Sequence, residues 1–335
     1  MDPVSHPLLE VAGLSVSYQG GSEPVRAVRD FSIALHAGAS MALVGESGSG
    51  KSTVALALMG LLGSAARIEG GEIRFEGAPL DFREPKSWRS IRGELIGMVF
   101  QDARGGLNPV LTVGAQLRHA LRAHRRMGKA AAVAEACAIL SSAGIPEPRF
   151  FMRRYPMELS GGMCQRAAIA LAVCNRPRLL IADEPTSALD PSIQAQILDL
   201  LDTLRMRDGL ALLMISHDLA LVSEICGQVA VMYHGRVVES GPTGEVFQCP
   251  AHPYTASLLD CHPGPQHRWD NRPLATIPGL PPRGGEELPG CAFAPRCPKA
   301  IAECRQGAPP PRVAITATHW AACIRTGAGA KGAAP

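Results

Sequence analysis

The chain holds 335 residues, 46% of them hydrophobic, with ten cysteines and a formal net charge of +3. That length can bury one large core and carry a small appendage, and charges of mixed sign leave no nucleic-acid footprint. The opening Met-Asp-Pro-Val-Ser-His lacks the basic start and apolar run of a secretory signal, so the cysteines are expected to stay reduced unless a metal holds them.

From Leu8 to about Phe100 the pattern is strand-rich. "LSVSY" alternates, "VRAVRDFSIAL" follows a Gly-Gly-Ser-Glu-Pro turn, and "SMALVG" is a short apolar strand ending in glycine. The longest apolar run, Val54 to Gly63, is about half of the roughly 20 residues a membrane-spanning helix needs. Between about Leu107 and Leu171 apolar residues recur at helical spacing in "VGAQLRHALRAHRRM" and "KAAAVAEACAILSSAGI", the pattern of a helical insertion. Arg118, Arg122, Arg125 and Arg126 are expected to form a solvated helix face. Two near-continuous apolar runs, "LLIADE" and "ALLMISHD", then read as parallel strands buried on both faces. After about Cys249 the composition turns to proline and glycine, and the tail "TGAGAKGAAP" is expected to be disordered.

"GESGSGKST", Gly45 to Thr53, fits the phosphate-loop pattern, and it stands after a strand and before the helix "VALALMGLL". Gly45, Ser47, Gly48 and Gly50 let backbone N–H groups wrap phosphates, and the helix start adds a favourable dipole. Lys51 supplies a positive charge, and Ser52, followed by Thr53, can ligate Mg²⁺. ATP or GTP is the implied ligand. "RLLIADEP" supplies the second half of such a site, since Asp183 and Glu184 end an apolar strand where an α/β sheet presents its ligands. Asp183 would hold Mg²⁺ through its shell and Glu184 would be the base for the attacking water. His217 ends the next strand and is placed to contact a γ-phosphate or hold the water.

"LSGGMCQR", Leu159 to Arg166, leads Ser160, Gly161 and Gly162 into a helix and so forms a second anion cradle. It resembles the signature of ABC transporter ATPases. The resemblance covers roughly residues 8 to 245 and implies a P-loop α/β core with an antiparallel β subdomain and an inserted helical subdomain. It also implies a head-to-tail dimer, in which one subunit's signature closes over ATP held by the other's phosphate loop. Tyr18 matches the residue stacked on adenine, and "SALD" from Ser187 to Asp190 the dimer-contacting loop. Gln101 matches the glutamine that joins the helical subdomain and reaches Mg²⁺, and His217 the switch histidine.

"FQDARGGLNPVLTVG", "HPYTASLL" and "GCAFAPRCPKAIAEC" followed by "HWAAC" are similar to the ATPase subunits of dipeptide, oligopeptide and nickel importers. Ala103 replaces the family's usual proline, and Cys164 a usual basic residue. The resemblance implies two permease subunits, an extracytoplasmic binding protein and a peripheral location on the cytoplasmic face of the membrane, with peptides as cargo and nickel or another small solute as the alternative. A DNA-repair-type ABC clamp would use the same chemistry, yet the segment between Thr53 and Leu159 lacks sustained heptads.

Cys291, Cys297, Cys304 and Cys323 are separated by five, six and eighteen residues, and a metal there would replace the core that a short Pro/Gly-rich segment cannot build. The spacing matches neither paired zinc ligands nor a ferredoxin run. The resemblance implies a [4Fe–4S] cluster, with zinc as the alternative and a structural or regulatory role. Of the remaining six cysteines, Cys137, Cys164, Cys174 and Cys226 read as packing residues, while Cys249 and Cys261 flank "HPYT". The expected division is a nucleotide-binding domain over 1–250, with its helical subdomain at about 102–172, a four-cysteine extension over 251–325 and a tail over 326–335.

Overall fold

The computed structural model describes residues 6–20, 23–81, 87–187, 189–261 and 275–326. Strands β1 (Leu9–Gly20), β2 (Glu23–Leu35) and β3 (Ser40–Val44) precede helix α1 (Lys51–Leu58). Next come β4 (Ala66–Phe75), β5 (Ala78–Pro79), α2 (Ser87–Ile91) and β6 (Ile96–Val99). Helices α3 (Val113–His124), α4 (Lys129–Ser142), α5 (Pro148–Phe151) and α6 (Gly161–Val173) follow, then β7 (Leu179–Asp183) and α7 (Pro191–Asp208). The chain continues through β8 (Ala211–Ile215), α8 (Leu219–Ile225), β9 (Gln228–Tyr233), β10 (Arg236–Pro242), α9 (Thr243–Gln248) and α10 (Pro253–Asp260). Two short strands, β11 (Val313–Ala314) and β12 (Trp320–Ala321), come last. The chain divides into two compact units, one of Met1–Leu8, Leu35–Ser40 and Leu80–Ile215, the other of Leu9–Ala34, Met41–Pro79 and Ser216–Pro335.

The unit that carries the phosphate loop contains an antiparallel sheet in the order β2-β1-β4-β5. The β1 to β4 register runs from Leu9 opposite Phe75 to Tyr18 opposite Ala66 and is broken by a bulge between Ala12 and Ser15. Gly71 lies across that bulge at φ +100°, where a Cβ would strike the Leu14 backbone, so only glycine closes the ladder. In the same unit β3 pairs parallel with β9, while β9, β10, β12 and β11 are joined by antiparallel pairing. Val54, Ala55, Ala57 and Leu58 of α1 are buried, which anchors the helix that the phosphate loop opens.

The other unit carries β6, β7 and β8 in parallel register, with Ile96 opposite Leu179 and Leu179 opposite Ala211. All residues of β6, β7 and β8 are buried, as continuous apolar runs require when both faces are covered. The helical segment falls where the periodicity puts it. Val113, Leu117 and Leu121 of α3, and Ala132, Ala136 and Leu140 of α4, are buried at four-residue spacing. Thr112 caps α3 by accepting from the Ala115 N–H. Helix α3 stops at His124, so Arg125 is extended and pairs with Glu135 at 3.4 Å rather than lying on a solvated helix face. Arg122 is exposed on α3 as expected, whereas Arg118 is half-buried there and Arg126, though exposed, lies beyond the end of the helix. Asp190 caps α7, Pro191 takes its first position, and Gly209 ends it at φ +64°. Cys164, Cys174 and Cys226 are buried, Cys137 is half-buried, and Cys249 is exposed. Residues 327–335 of the expected tail and Ala188 of "SALD" lie outside the described residues.

Candidate nucleotide site and four-thiol cavity

Gly45, Gly48 and Gly50 take φ of +147°, +79° and +105°, a backbone path that L side chains rarely follow. A Cβ on Gly45 would also collide with the Met232 carbonyl, and one on Gly50 with that of Ala27. Gly45 and Gly50 are therefore demanded by β9 and β2 as well as by any phosphate, while Gly48 has open space and is set by its φ alone. Ser47, Gly48 and Ser52 face solvent, whereas the Lys51 chain is buried. Lys51 Nζ donates to the carbonyls of Gly45 and Glu46 at 2.8 and 2.9 Å. The loop thus stores its cation on its own backbone, within reach of an anion laid across the helix start. The turn between β9 and β10 props the loop from behind, with Gly235 N–H donating to the Ser49 carbonyl at 3.0 Å. Tyr18 is half-buried at the end of β1, and its hydroxyl lies 3.5 Å from that of Thr53. The strand tyrosine therefore stands beside the loop instead of filling the core.

In the other unit Asp183 is buried at the end of β7. Glu184 follows at φ +45°, a conformation that costs on the order of 1–3 kcal/mol in a non-glycine residue. Its N–H donates to the Ile215 carbonyl at 2.9 Å, and its carboxylate accepts from Gln101 Nε2 at 2.9 Å. Ser160 caps α6 by accepting from the Met163 N–H at 3.3 Å. A Cβ on Gly162 would press within 2.9 Å of Ile193 Cγ2, so the start of α6 packs closely on α7. Ala103 is buried, and so is Cys164, whose thiol lies 3.4 Å from the Pro156 carbonyl in a space that a basic side chain could not fill without losing its charge or leaving the core. His217 is exposed, two residues beyond β8 and just before Asp218, the cap of α8.

Cys291, Cys297, Cys304 and Cys323 line a single cavity with His252, Phe293 and Lys299. Cys304 and Cys323 are buried, and the Cys291 N–H donates to the Cys304 carbonyl at 2.8 Å. Burial pushes the Cys291 thiol up to about 11 and raises that of Cys297 as well. Thiols so placed hold their protons unless a metal cation displaces them. Among the described residues no three or more His, Cys, Asp or Glu side chains are arranged to hold one metal ion. The four cysteines therefore line one cavity without forming the metal site that their grouping in the sequence leads one to expect.

Sequence reasoning passed over Glu46, Tyr254 and Arg296, which meet behind the phosphate loop. The available signal was an acid inside a loop built for anions, which calls for a counter-charge from elsewhere in the chain.

Comparison with known proteins agrees with this geometry. Residues 28–187 match the model of the ABC transporter family, and residues 238–304 that of the oligopeptide/dipeptide transporter C-terminal region. The oligopeptide transport ATP-binding protein OppD of Salmonella typhimurium is 44% identical over 320 residues, spanning 95% of this chain and 93% of its own. This chain belongs to the ABC transporter ATP-binding proteins. OppD of Haemophilus influenzae is likewise 44% identical, over 90% of this chain and 92% of its own. Among solved structures, a dimeric post-hydrolysis state of an ATP-binding cassette bound to ADP and Pi superposes with a TM-score of 0.64 at 27% identity, covering 70% of this chain and 98% of that one. CbiO1 from Clostridium perfringens gives 0.62 at 28% identity, over 73% and 92%. The fold is the ABC ATPase cassette, a P-loop core with an antiparallel β subdomain and helices, and the chain is an ATPase of that kind.

Proposed function

We propose that this ATPase drives a membrane importer for dipeptides and oligopeptides. The observation that carries the reading is a complete phosphate loop, with Lys51 held over its backbone, in the same chain as a C-terminal region of the oligopeptide/dipeptide type. The names of the OppD relatives support the cargo class. Among the described residues no helix is long and apolar enough to cross a membrane, so the chain would work from the cytoplasmic face through two permease subunits, with an extracytoplasmic binding protein delivering solute.

In this reading the backbone from Gly45 to Gly50 cradles the phosphates of ATP, Lys51 offsets their charge, and Tyr18 offers a ring to adenine. By the family resemblance Ser52 and Gln101 would ligate Mg²⁺ when it is bound, and Asp183 would hold it through its shell. Glu184 takes the proton of the attacking water, with His217 steadying it. Ser160, Gly161 and Gly162 would meet the nucleotide of a second cassette in a head-to-tail pair, and the dimeric state of a solved relative supports pairing. Cys291, Cys297, Cys304 and Cys323 would hold a [4Fe–4S] cluster, which would brace or regulate the extension, since hydrolysis needs no electrons. The extension would span 251–325.

The test is co-purification of the membrane complex and its reconstitution in vesicles. Dipeptides or oligopeptides delivered with the binding protein should raise ATP hydrolysis and accumulate inside. Stimulation by nickel chelates and not peptides would move the cargo assignment, and stimulation of the lone chain by DNA would favour a repair clamp.

A further inference from the structure

Glu46 is the second residue of the phosphate loop, and each of its polar groups is engaged. Its N–H donates to the Tyr254 hydroxyl at 2.8 Å, and its carbonyl accepts from Lys51 Nζ at 2.9 Å. Its carboxylate accepts both arms of the Arg296 guanidinium, at 2.7 and 2.9 Å. Arg296 comes from the segment between Cys291 and Cys297, about 250 positions away in sequence, yet it lies in the same compact unit. Its side chain is 5% exposed and that of Glu46 24%.

The guanidinium is itself aimed by neighbours. Its Nε donates to the Pro278 carbonyl at 2.9 Å, and one arm also donates to the Tyr233 hydroxyl at 3.2 Å. The Tyr233 ring lies 5.9 Å from the guanidinium carbon and is itself packed against Tyr254 and Phe293, with ring centroids 4.6 to 5.3 Å apart. A planar fork with fixed partners sets the direction of the carboxylate, which a flexible lysine would not do.

A carboxylate in this loop is otherwise a liability, because it repels the polyanion the loop must bind. Cancelling its charge removes that repulsion, and fixing its direction fixes the carbonyl from which Lys51 hangs. We propose that Arg296 is a positioning residue of the phosphate loop, neutralising and orienting Glu46, so that nucleotide affinity depends on the C-terminal segment that carries it. The inference rests on the ATP-binding reading of the loop and adds to it a control from outside the motif. Whatever reshapes the segment from Cys291 to Cys297 would then be felt at the phosphates, and bound nucleotide would be felt at the segment to the same degree.

The test is MgATP affinity of the full chain, read by titration with a fluorescent ATP analogue and competition by ATP. Arg296→Met should weaken binding by about tenfold, within the roughly 5- to 150-fold range of coupled sites. Glu46→Gln combined with Arg296→Met should recover most of the loss, because the uncancelled charge has gone. Arg296→Lys should fall between, keeping the charge and losing the fork. Affinity of Arg296→Met within about twofold of the wild type would overturn the proposal. So would a double variant as weak as the single one, which would mean that Arg296 only helps the segment fold. Should Arg296→Met not accumulate as folded protein, Arg296→Lys is read in its place: weaker than wild type, and relieved by Glu46→Gln, supports the link, and equality with wild type refutes it. A wild-type chain that failed to bind MgATP would instead sink the nucleotide reading.

Discussion

Gln101 Nε2 donates a 2.9 Å hydrogen bond to Glu184 Oε2, so the residue at the entry to the helical segment holds the carboxylate that follows β7. Glu184 is pinned twice, by this amide and by its own N–H on the Ile215 carbonyl, in a left-handed conformation. A group kept at such a backbone cost has its direction set before any ligand arrives. Glu184→Gln should retain ATP binding and lose the base, lowering hydrolysis by roughly 10²–10⁴, or about 3–5 kcal/mol of barrier. ATP should then trap a closed dimer, visible by gel filtration. Gln101→Ala should lower turnover and uncouple hydrolysis from transport more than it changes ATP affinity. A wild-type rate in Glu184→Gln, or equal losses of affinity and transport in Gln101→Ala, would remove these roles.

Lys51 leads to a separate expectation. Its ammonium already sits on two loop carbonyls, and a phosphate oxygen would replace neutral acceptors with a charged one. A hydrogen bond to a charged group contributes about 1.5–3 kcal/mol, so Lys51→Ala should weaken ATP by roughly 10- to 150-fold. Calorimetric titration with MgATP measures this directly, and unchanged affinity would count against the loop as the phosphate site.

Much of this site could be read before any coordinates, because each motif is local. The phosphate loop needs glycines where φ is positive, the signature needs a cap before a helix, and the acids need an apolar strand before them. Arg125 was misplaced because helical periodicity does not mark where α3 ends, and the backbone turns extended there to let the residue reach Glu135. The Glu46 to Arg296 pair was hidden for another reason. Its partners are remote in the chain, and nothing in the composition around Arg296 distinguishes it from the solvated arginines nearby. The four cysteines were legible as a group lining one cavity, while the lack of a metal-holding arrangement among the described residues was not, because spacing along the chain does not fix where side chains converge.

Ser160 allows the signature to be tested apart from the loop. Its hydroxyl caps α6, so Ser160→Ala should cost about 1 kcal/mol of stability in chemical denaturation. The phosphate loop keeps all its own contacts in this variant. MgATP affinity of the separate chain should therefore be preserved, while dimer formation by the ATP-trapped Glu184→Gln background should fall. Parallel loss of both would show that Ser160 acts through stability alone.

The thiol cavity yields the last expectation. Buried thiols hold their protons unless a metal displaces them, and four cysteines line one cavity, so the proposed [4Fe–4S] cluster is tested by its colour and its iron. Protein purified without oxygen should be brown and contain iron and sulfide in matching amounts. Cys304→Ser should lose the colour and the iron, whereas Cys249→Ser, at an exposed thiol outside the cavity, should keep both. Because the catalytic groups lie elsewhere in the sequence, removal of the iron should alter the protease resistance of the extension before it alters the chemistry at Glu184. Colourless protein with stoichiometric zinc would overturn the cluster, and a metal-free extension that resists protease as well as the intact one would overturn the site.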